Sequence, residues 1–471
     1  MISLEGGQGL LTGDAENGSI VAMKRHALIF GSCAMAAMCA FAADQSEPGW
    51  KVGVAKVKIT PQKPIWLAGY GGRNHVAEGV RMDVWAKALA VEDKDGRTGV
   101  ILTIDVCTVD KEFTDALVAK LDAKYGISRE RFIINCSHTH TGPAVGKSLQ
   151  HIHQMSESDW KDELAYTEWL QGALVRLVGD ALADRRPSRI LTANGLATFA
   201  VNRRSNKEAE VVNLTERKGP ADYAVPVLKV EDATGRMTAV LFGYACHPTT
   251  LGDYLYSGDY AGFAQAELER MYPGAIALFF QGGGADLNPL PRRKVSLAIK
   301  YGKELAAAVE QVLSEEMTER EASLSMKYEE VVLDMEEPIS LEEMDKIGAD
   351  HDPDNYYARW ARATAAAVRS GVKLPRTWPF PVQYWCIGDQ KLFTLGGELF
   401  VGYTLDIKER YGRDAFVMGY CNDVMSYIPT EEAWDKGGYE VDKVYCESGL
   451  PAQWTRDVTK RIMDGVKRLA D

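Results

Sequence analysis

Basic residues are not in excess in this sequence. Among 471 residues, 54 Lys+Arg stand against 66 Asp+Glu, a formal net charge of −12. A nucleic-acid binder needs a basic footprint to neutralise phosphates, and an anionic membrane recruits clustered Lys and Arg. The charge balance points away from both. Cysteine is scarce: 8 residues, scattered along the chain, are too few for a disulfide-stapled scaffold. Beyond the N-terminus no stretch approaches the run of about 20 apolar residues that a membrane helix needs. The mature chain is therefore expected to have no transmembrane segment. Repeats and low-complexity linkers are also missing. What remains is an ordinary globular composition, 46% apolar and 25% charged, long enough to bury a substantial core.

The one apolar run sits near the start. Met23-Lys24-Arg25-His26 is basic, the 16 residues Ala27–Ala42 are apolar and rich in Ala and Met, and Ala40-Phe41-Ala42 forms an A-x-A site. This is the order of a secretory signal peptide. The expectation is a start at Met23, an upstream extension over 1–22, cleavage near Ala42 and a secreted or periplasmic chain over 43–471. Cys39 within the run raises a lipoprotein alternative, although Ala36-Ala37-Met38 departs from a lipobox. Cleavage removes Cys33 and Cys39. Among the remaining cysteines, Cys421 and Cys446 are a candidate bridge.

The rest alternates strand-like and helical patterns. Gly53–Ile59, Trp85–Val91, Gly99–Asp105, Arg131–Asn135 and Ala275–Phe280 read as strands, several of them apolar throughout and so buried on both faces. Lys111–Tyr125, Asp159–Leu182, Tyr260–Met271, Ser296–Leu313 and Thr404–Tyr411 have helical spacing. Val227–Val230 with Thr238–Tyr244 reads as a hairpin. Val382–Leu395 reads as two strands about Gly388-Asp389, and Phe416–Tyr420 as a last core strand. Residues 338–371 read as a helical insertion; Tyr356, Tyr357 and Trp360 there suit either a lid or wall beside a site or plain helical core. The fold expected is α/β, a single large domain with mixed β-sheets flanked by helices and its site at strand ends.

Chemistry concentrates after the buried strands. Cys136-Ser137-His138-Thr139-His140-Thr141-Gly142-Pro143 follows one directly. On an extended backbone the two rings of H-x-H point to opposite sides, but a turn can converge them. So many polar groups are costly in a core, which favours a polar site, and histidine is the commonest metal ligand. An isolated H-T-H reads equally as a solvated loop. His247 repeats the pattern between Ala239–Ala245 and Pro248-Thr249-Thr250, and taken alone it reads equally as a core or capping histidine. Zinc needs three or four N, O or S donors, and Glu398 offers a carboxylate after Lys391–Leu395 and the Gly396-Gly397 pair. Alternatively, Glu398 stabilises the N-terminus of the helix that follows.

At these residues the chain resembles the neutral (non-lysosomal) ceramidase family, specifically its zinc-dependent catalytic domain. The similarity runs through Gly53–Pro61, Gly69-Tyr70-Gly71, His138–Pro143, Asn202-Arg203, His247-Pro248-Thr249, Gly397-Glu398 and Asn422 through Tyr439. The resemblance implies a catalytic domain over 43–471 and zinc held by His138, His247, Glu398 and Tyr427. It places His140, Arg203 and Tyr439 around the reacting amide. His140 would then serve as the base, with Arg203 and Tyr439 as donors to the developing oxyanion. Tyr427 and Tyr439 also suit ordinary packing beside Trp434.

One departure bears on substrate. The family's Gly-Asp-x-Ser-Pro-Asn stretch reads here Gly282-Gly283-Gly284-Ala285-Asp286-Leu287-Asn288-Pro289, with Asn288 in the serine's place. The resemblance implies an exported zinc hydrolase of N-acyl amides, acting on a small-molecule or lipid substrate, ceramide-like lipids first. Alternatives are the same centre acting on another ester or amide (an acylated sugar or amino acid), and a non-catalytic exported binding protein.

Overall fold

The structure, a computed structural model, describes residues 49–471 apart from 148–151, 211–216, 351, 353 and 354. The export signal expected at Met23 to about Ala42, and the extension before it, lie outside the described residues. Eight strands form the main path of a nine-stranded sheet: β1 (Trp50–Lys58), β2 (Trp85–Glu92), β3 (Thr98–Ile104), β4 (Phe132–Cys136), β5 (Arg186–Leu196), β6 (Ala224–Asp232), β7 (Met237–Tyr244) and β8 (Ile276–Gln281). Their order is β8-β7-β6-β5-β1-β2-β3-β4. The pairs β7–β8 and β3–β4 are parallel, the others antiparallel.

A second sheet has the order β9 (Leu324–Asp334), β10 (Thr377–Ile387), β11 (Gln390–Leu395), β12 (Phe416–Met418). The period of two along the strands sorts side chains between two layers. Leu89, Val91, Ile101 and Ile133 pack with Trp385, Leu392 and Phe416 of the second sheet. Their neighbours Ala88, Ala90, Leu102 and Ile134 share the opposite layer with Leu170, Leu174 and Leu177 of the helix Glu157–Ala183. The helices Asp259–Met271 and Val295–Ser314 cover β7 and β8. The molecule is thus a mixed α/β fold in which β2, β3, β4 and most of β10 are buried on both faces.

The large sheet curls until its two outer strands meet. Asn135 on β4 accepts from the Gln281 amide at 2.8 Å and donates to the Gln281 carbonyl at 3.2 Å and the Gly419 carbonyl at 2.6 Å. One amide side chain thereby joins the C-terminal ends of β4 and β8 with the turn after β12. The loops that leave those ends are brought to one place.

Several expectations gain definition. The helix Lys111–Tyr125 has the bounds read from sequence, with Asp110 capping the Phe113 amide and Gly126 closing it at φ 68°. In 338–371, helices span Leu341–Asp350 and Tyr356–Arg369. Trp360 there is fully buried and donates to the Leu450 carbonyl at 2.9 Å, so it is core rather than lid. The candidate bridge between Cys421 and Cys446 is corrected: both are free, buried thiols. Cys421 packs between the two sheets while Cys446 lies in the helix-side layer. No helix among the described residues is long and apolar enough to cross a membrane.

Candidate metal centre

His138 follows β4 at φ 61°, an uncommon backbone conformation for a residue with a side chain. That twist breaks the alternation of the strand. The Nε2 atoms of His138 and His140 come to 3.1 Å instead of pointing apart. Nε2 of His247, on the loop after β7, lies 3.2 Å from Nε2 of His138. Oε2 of Glu398 stands 3.3 Å from His138 Nε2 and 3.2 Å from His247 Nε2. The three ligand atoms all lie within 4.8 Å of one another.

Glu398 sits outside the following helix, which begins at Val401. Glu398-Leu399 instead pairs in parallel with Tyr427-Ile428, setting Glu398 opposite Tyr427. Gly397 permits this approach: at φ 67°, with a Cβ only 2.3 Å from Ile428, no other residue fits without displacement. The Tyr427 hydroxyl reaches 3.4 Å from His247 Nε2 and accepts from Arg203 Nη2 at 3.1 Å. Arg203 Nε donates to Glu440 at 3.0 Å.

The outer nitrogens fix the tautomers. Nδ1 of His138 donates to the Cys107 carbonyl at 2.8 Å, and Nδ1 of His247 to the Gly284 carbonyl at 3.0 Å. A carbonyl only accepts, so each Nδ1 carries the proton and each Nε2 turns a lone pair inward. Lone pairs on the His138 and His247 nitrogens 3.2 Å apart, beside a carboxylate oxygen with no hydrogen bond, repel unless positive charge sits among them. One proton serves a single contact, whereas a divalent cation serves all of them. The donor set, two imidazoles and a carboxylate with a phenol alongside, fits zinc. Cys107 with His138 and His140 forms a second potential set. Its sulfur, however, lies on the Nδ1 side of His138, 3.6 Å away, where the ring proton is already committed.

The charges follow the same logic. Burial is the largest influence on Glu398 and opposes its ionisation, and only positive charge on the His138 and His247 side holds it well below the usual carboxylate range. Burial takes His247 down to about 4. Burial, reinforced by His138 and His247, holds His140 well below the ordinary imidazole value, so it stays neutral near pH 7. Burial, with the charge of Glu398 behind it, pushes the Tyr427 phenol well above its usual range, and Arg203 opposes that push. A phenolate there needs a cation beside it.

The structure therefore brings His138, His140, His247, Glu398, Tyr427 and Arg203 together. Tyr439 stands on the solvent side of Tyr427. Its ring centroid is 6.1 Å from that of Tyr427, it is half exposed, and its hydroxyl donates to Glu447 at 2.8 Å. Asn288 is buried and takes a 3.3 Å hydrogen bond from Thr249. Sequence reasoning missed the carbonyl of Cys107 and the carboxylates Glu440 and Glu447, which nothing local in the sequence marks. Gly69, within the quoted Gly69-Tyr70-Gly71, has a purpose visible only in space. A Cβ there would stand 2.4 Å from His140 Cγ.

Residues 50–286 match the family model described as "Neutral/alkaline non-lysosomal ceramidase, N-terminal". Neutral ceramidase 2 of Arabidopsis thaliana is 23% identical over 262 residues, 54% of this chain and 33% of that protein. The neutral ceramidase of Drosophila melanogaster is 25% identical over 258 residues, 51% of this chain and 36% of that protein. The chain thus spans about a third of the length of the curated relatives it matches. In three dimensions it superposes on the crystal structure of neutral ceramidase from Pseudomonas aeruginosa with a TM-score of 0.66 at 19% identity, covering 88% of this chain and 72% of that one, which establishes a shared fold. Glu398, Tyr427 and Tyr439 lie beyond the matched residues 50–286, so their place in the site rests on geometry. By the family match and the shared fold, this chain belongs to the neutral/alkaline non-lysosomal ceramidase family.

Proposed function

We propose that this chain is an exported, zinc-dependent amidohydrolase that cleaves an N-acyl bond, with ceramide-like lipids as its substrate class. The observation that carries the reading is the convergence of His138 Nε2 and His247 Nε2 on one oxygen of Glu398, at 3.3 and 3.2 Å, with lone pairs facing inward. The substrate class comes from the neutral ceramidases among its relatives. His138, His247, Glu398 and Tyr427 would hold the metal. Zinc, when bound, supplies Lewis acidity and lowers the pKa of water toward ~7.

His140, neutral and directed at the same point, takes the proton of the attacking water on Nε2 and returns it to the leaving amine. Arg203 is fixed beside Tyr427 and directs a guanidinium toward the oxygen on which charge develops. Tyr439, half exposed beside Tyr427, supplies a further donor once its hydroxyl turns from Glu447 to substrate. Purified protein is expected to hold zinc stoichiometrically and to release fatty acid from a ceramide. Protein that takes up no zinc, or His138→Ala protein that hydrolyses as fast as the parent, overturns the reading. For export, the N-terminus of the secreted chain is expected near Ala43.

A second reading keeps the centre and changes the bond. Asn288 occupies the place of the family's serine in the 282–289 loop, which favours a different acyl substrate, an ester or an acylated sugar or amino acid. Matched amide and ester pairs decide it: faster turnover of the esters throughout favours this second reading.

A further inference from the structure

Glu440 is nine-tenths buried and belongs to none of the stretches from which the site was read. Its two oxygens are divided between consecutive arginines. Oε1 accepts from Arg203 Nε at 3.0 Å and Oε2 from Arg204 Nη1 at 2.7 Å. Arg204 is in turn tied to the chain that carries Glu440, donating to the Gly437 carbonyl at 2.6 Å and the Ala433 carbonyl at 3.3 Å. The other edge of Arg203 is thereby directed away from Glu440, and Nη2 donates to the Tyr427 hydroxyl at 3.1 Å.

That arrangement has an alternative which the fold must prevent. Arg203 Nη2 reaches the Tyr427 hydroxyl, and Tyr427 stands opposite Glu398 in the paired strands; a guanidinium matches a carboxylate in a planar, two-pronged pair. An arginine paired with Glu398 would take from the cation its only carboxylate. Glu440 occupies the Nε edge of Arg203 and fixes the direction of the fork.

We propose that Glu440 is a positioning residue for the metal centre: by holding Arg203 through Nε it aims Nη2 at the Tyr427 oxygen and keeps the guanidinium off Glu398. This rests on the reading of His138, His247, Glu398 and Tyr427 as zinc ligands. Partners that orient metal ligands are worth roughly 10–100-fold in metal affinity, and a residue acting through another shows it in a double-mutant cycle.

The experiment measures zinc affinity by chelator competition in the full chain for the parent, Glu440→Gln, Arg203→Met and the double variant. Glu440→Gln is expected to weaken zinc binding about 10–100-fold when Arg203 is present, and to change it less than about threefold in the Arg203→Met background. An equal loss in both backgrounds, or no loss in the first, overturns the proposal. Glu440→Asp keeps the charge but shortens the reach. It is expected to show a smaller loss that likewise vanishes without Arg203, and it serves if the glutamine variant does not fold. A parent chain that binds no zinc would instead overturn the metal-site reading itself.

Discussion

A methyl group added at Gly69 would stand 2.4 Å from Cγ of His140 on a backbone at φ 97°. Both the contact and the backbone resist a side chain. The imidazole, packed edge-on against Tyr70 with centroids 4.7 Å apart, has to shift. Gly69→Ala is therefore expected to retain zinc, because no metal-holding side chain moves, while kcat/KM falls about 100-fold through displacement of the base. Metal analysis beside a hydrolysis assay separates the two; loss of zinc would show that the damage spreads beyond His140. Residues of this kind mark the limit of what a sequence discloses. The H-T-H run is visible as an expensive polar cluster after a buried strand. The convergence of its rings depends on φ 61° at His138, which no residue type there announces. Tyr427 enters by resemblance alone. Glu440 acts through a partner more than 200 positions away, beyond any local pattern.

At the level of elements, the apolar strands were readable because each is buried on both faces, and their bounds shift by only a few residues. β5 and β9 escaped for the opposite reason. Arg186–Leu196 has few apolar residues, and in Leu324–Asp334 Lys327, Glu329 and Glu330 interrupt the apolar ones; both belong to the sheets through backbone pairing more than through side-chain burial. The meeting of β4 with β8 was invisible, since it depends on one amide. Asn135 satisfies the Gln281 amide and carbonyl and the Gly419 carbonyl, all inside the core. Asn135→Ala orphans the Gln281 amide, while the Gln281 carbonyl keeps the Gly419 amide and the Gly419 carbonyl keeps the Cys421 thiol, and a buried orphan costs about 1–3 kcal/mol. The variant is expected to lose roughly 1–3 kcal/mol in denaturant unfolding. Its activity is expected to fall with it, because His138 begins three residues beyond the stitch. A stability within 1 kcal/mol of the parent would mean that the strands are held by other contacts.

At the scale of the whole molecule, the described residues are held together by packing rather than by disulfides, because all six described cysteines are free. A reducing agent that leaves zinc in place is expected to leave Tm unchanged, whereas a chelator is expected to lower it. The pH dependence carries one further signature. Glu163, on the helix Glu157–Ala183, is buried with both carboxylate oxygens unpartnered. Burial, with a smaller push from Asp110, raises it from 4.5 to about 8. In the unfolded chain it ionises near 4.5; in the folded chain it keeps its proton until about 8. Between those values the folded state binds more protons, so the contribution is fully present below the unfolded value and is lost as pH rises through the window. Glu163→Gln cannot ionise and escapes that loss. Its unfolding free energy is expected to match the parent's near pH 4.5 and to exceed it increasingly up to pH 8, by an amount on the order of a few kcal/mol. Comparing the two proteins at each pH cancels the metal centre's own response to acid. A gap independent of pH would show that Glu163 is already ionised in the fold, with a partner that holds its charge.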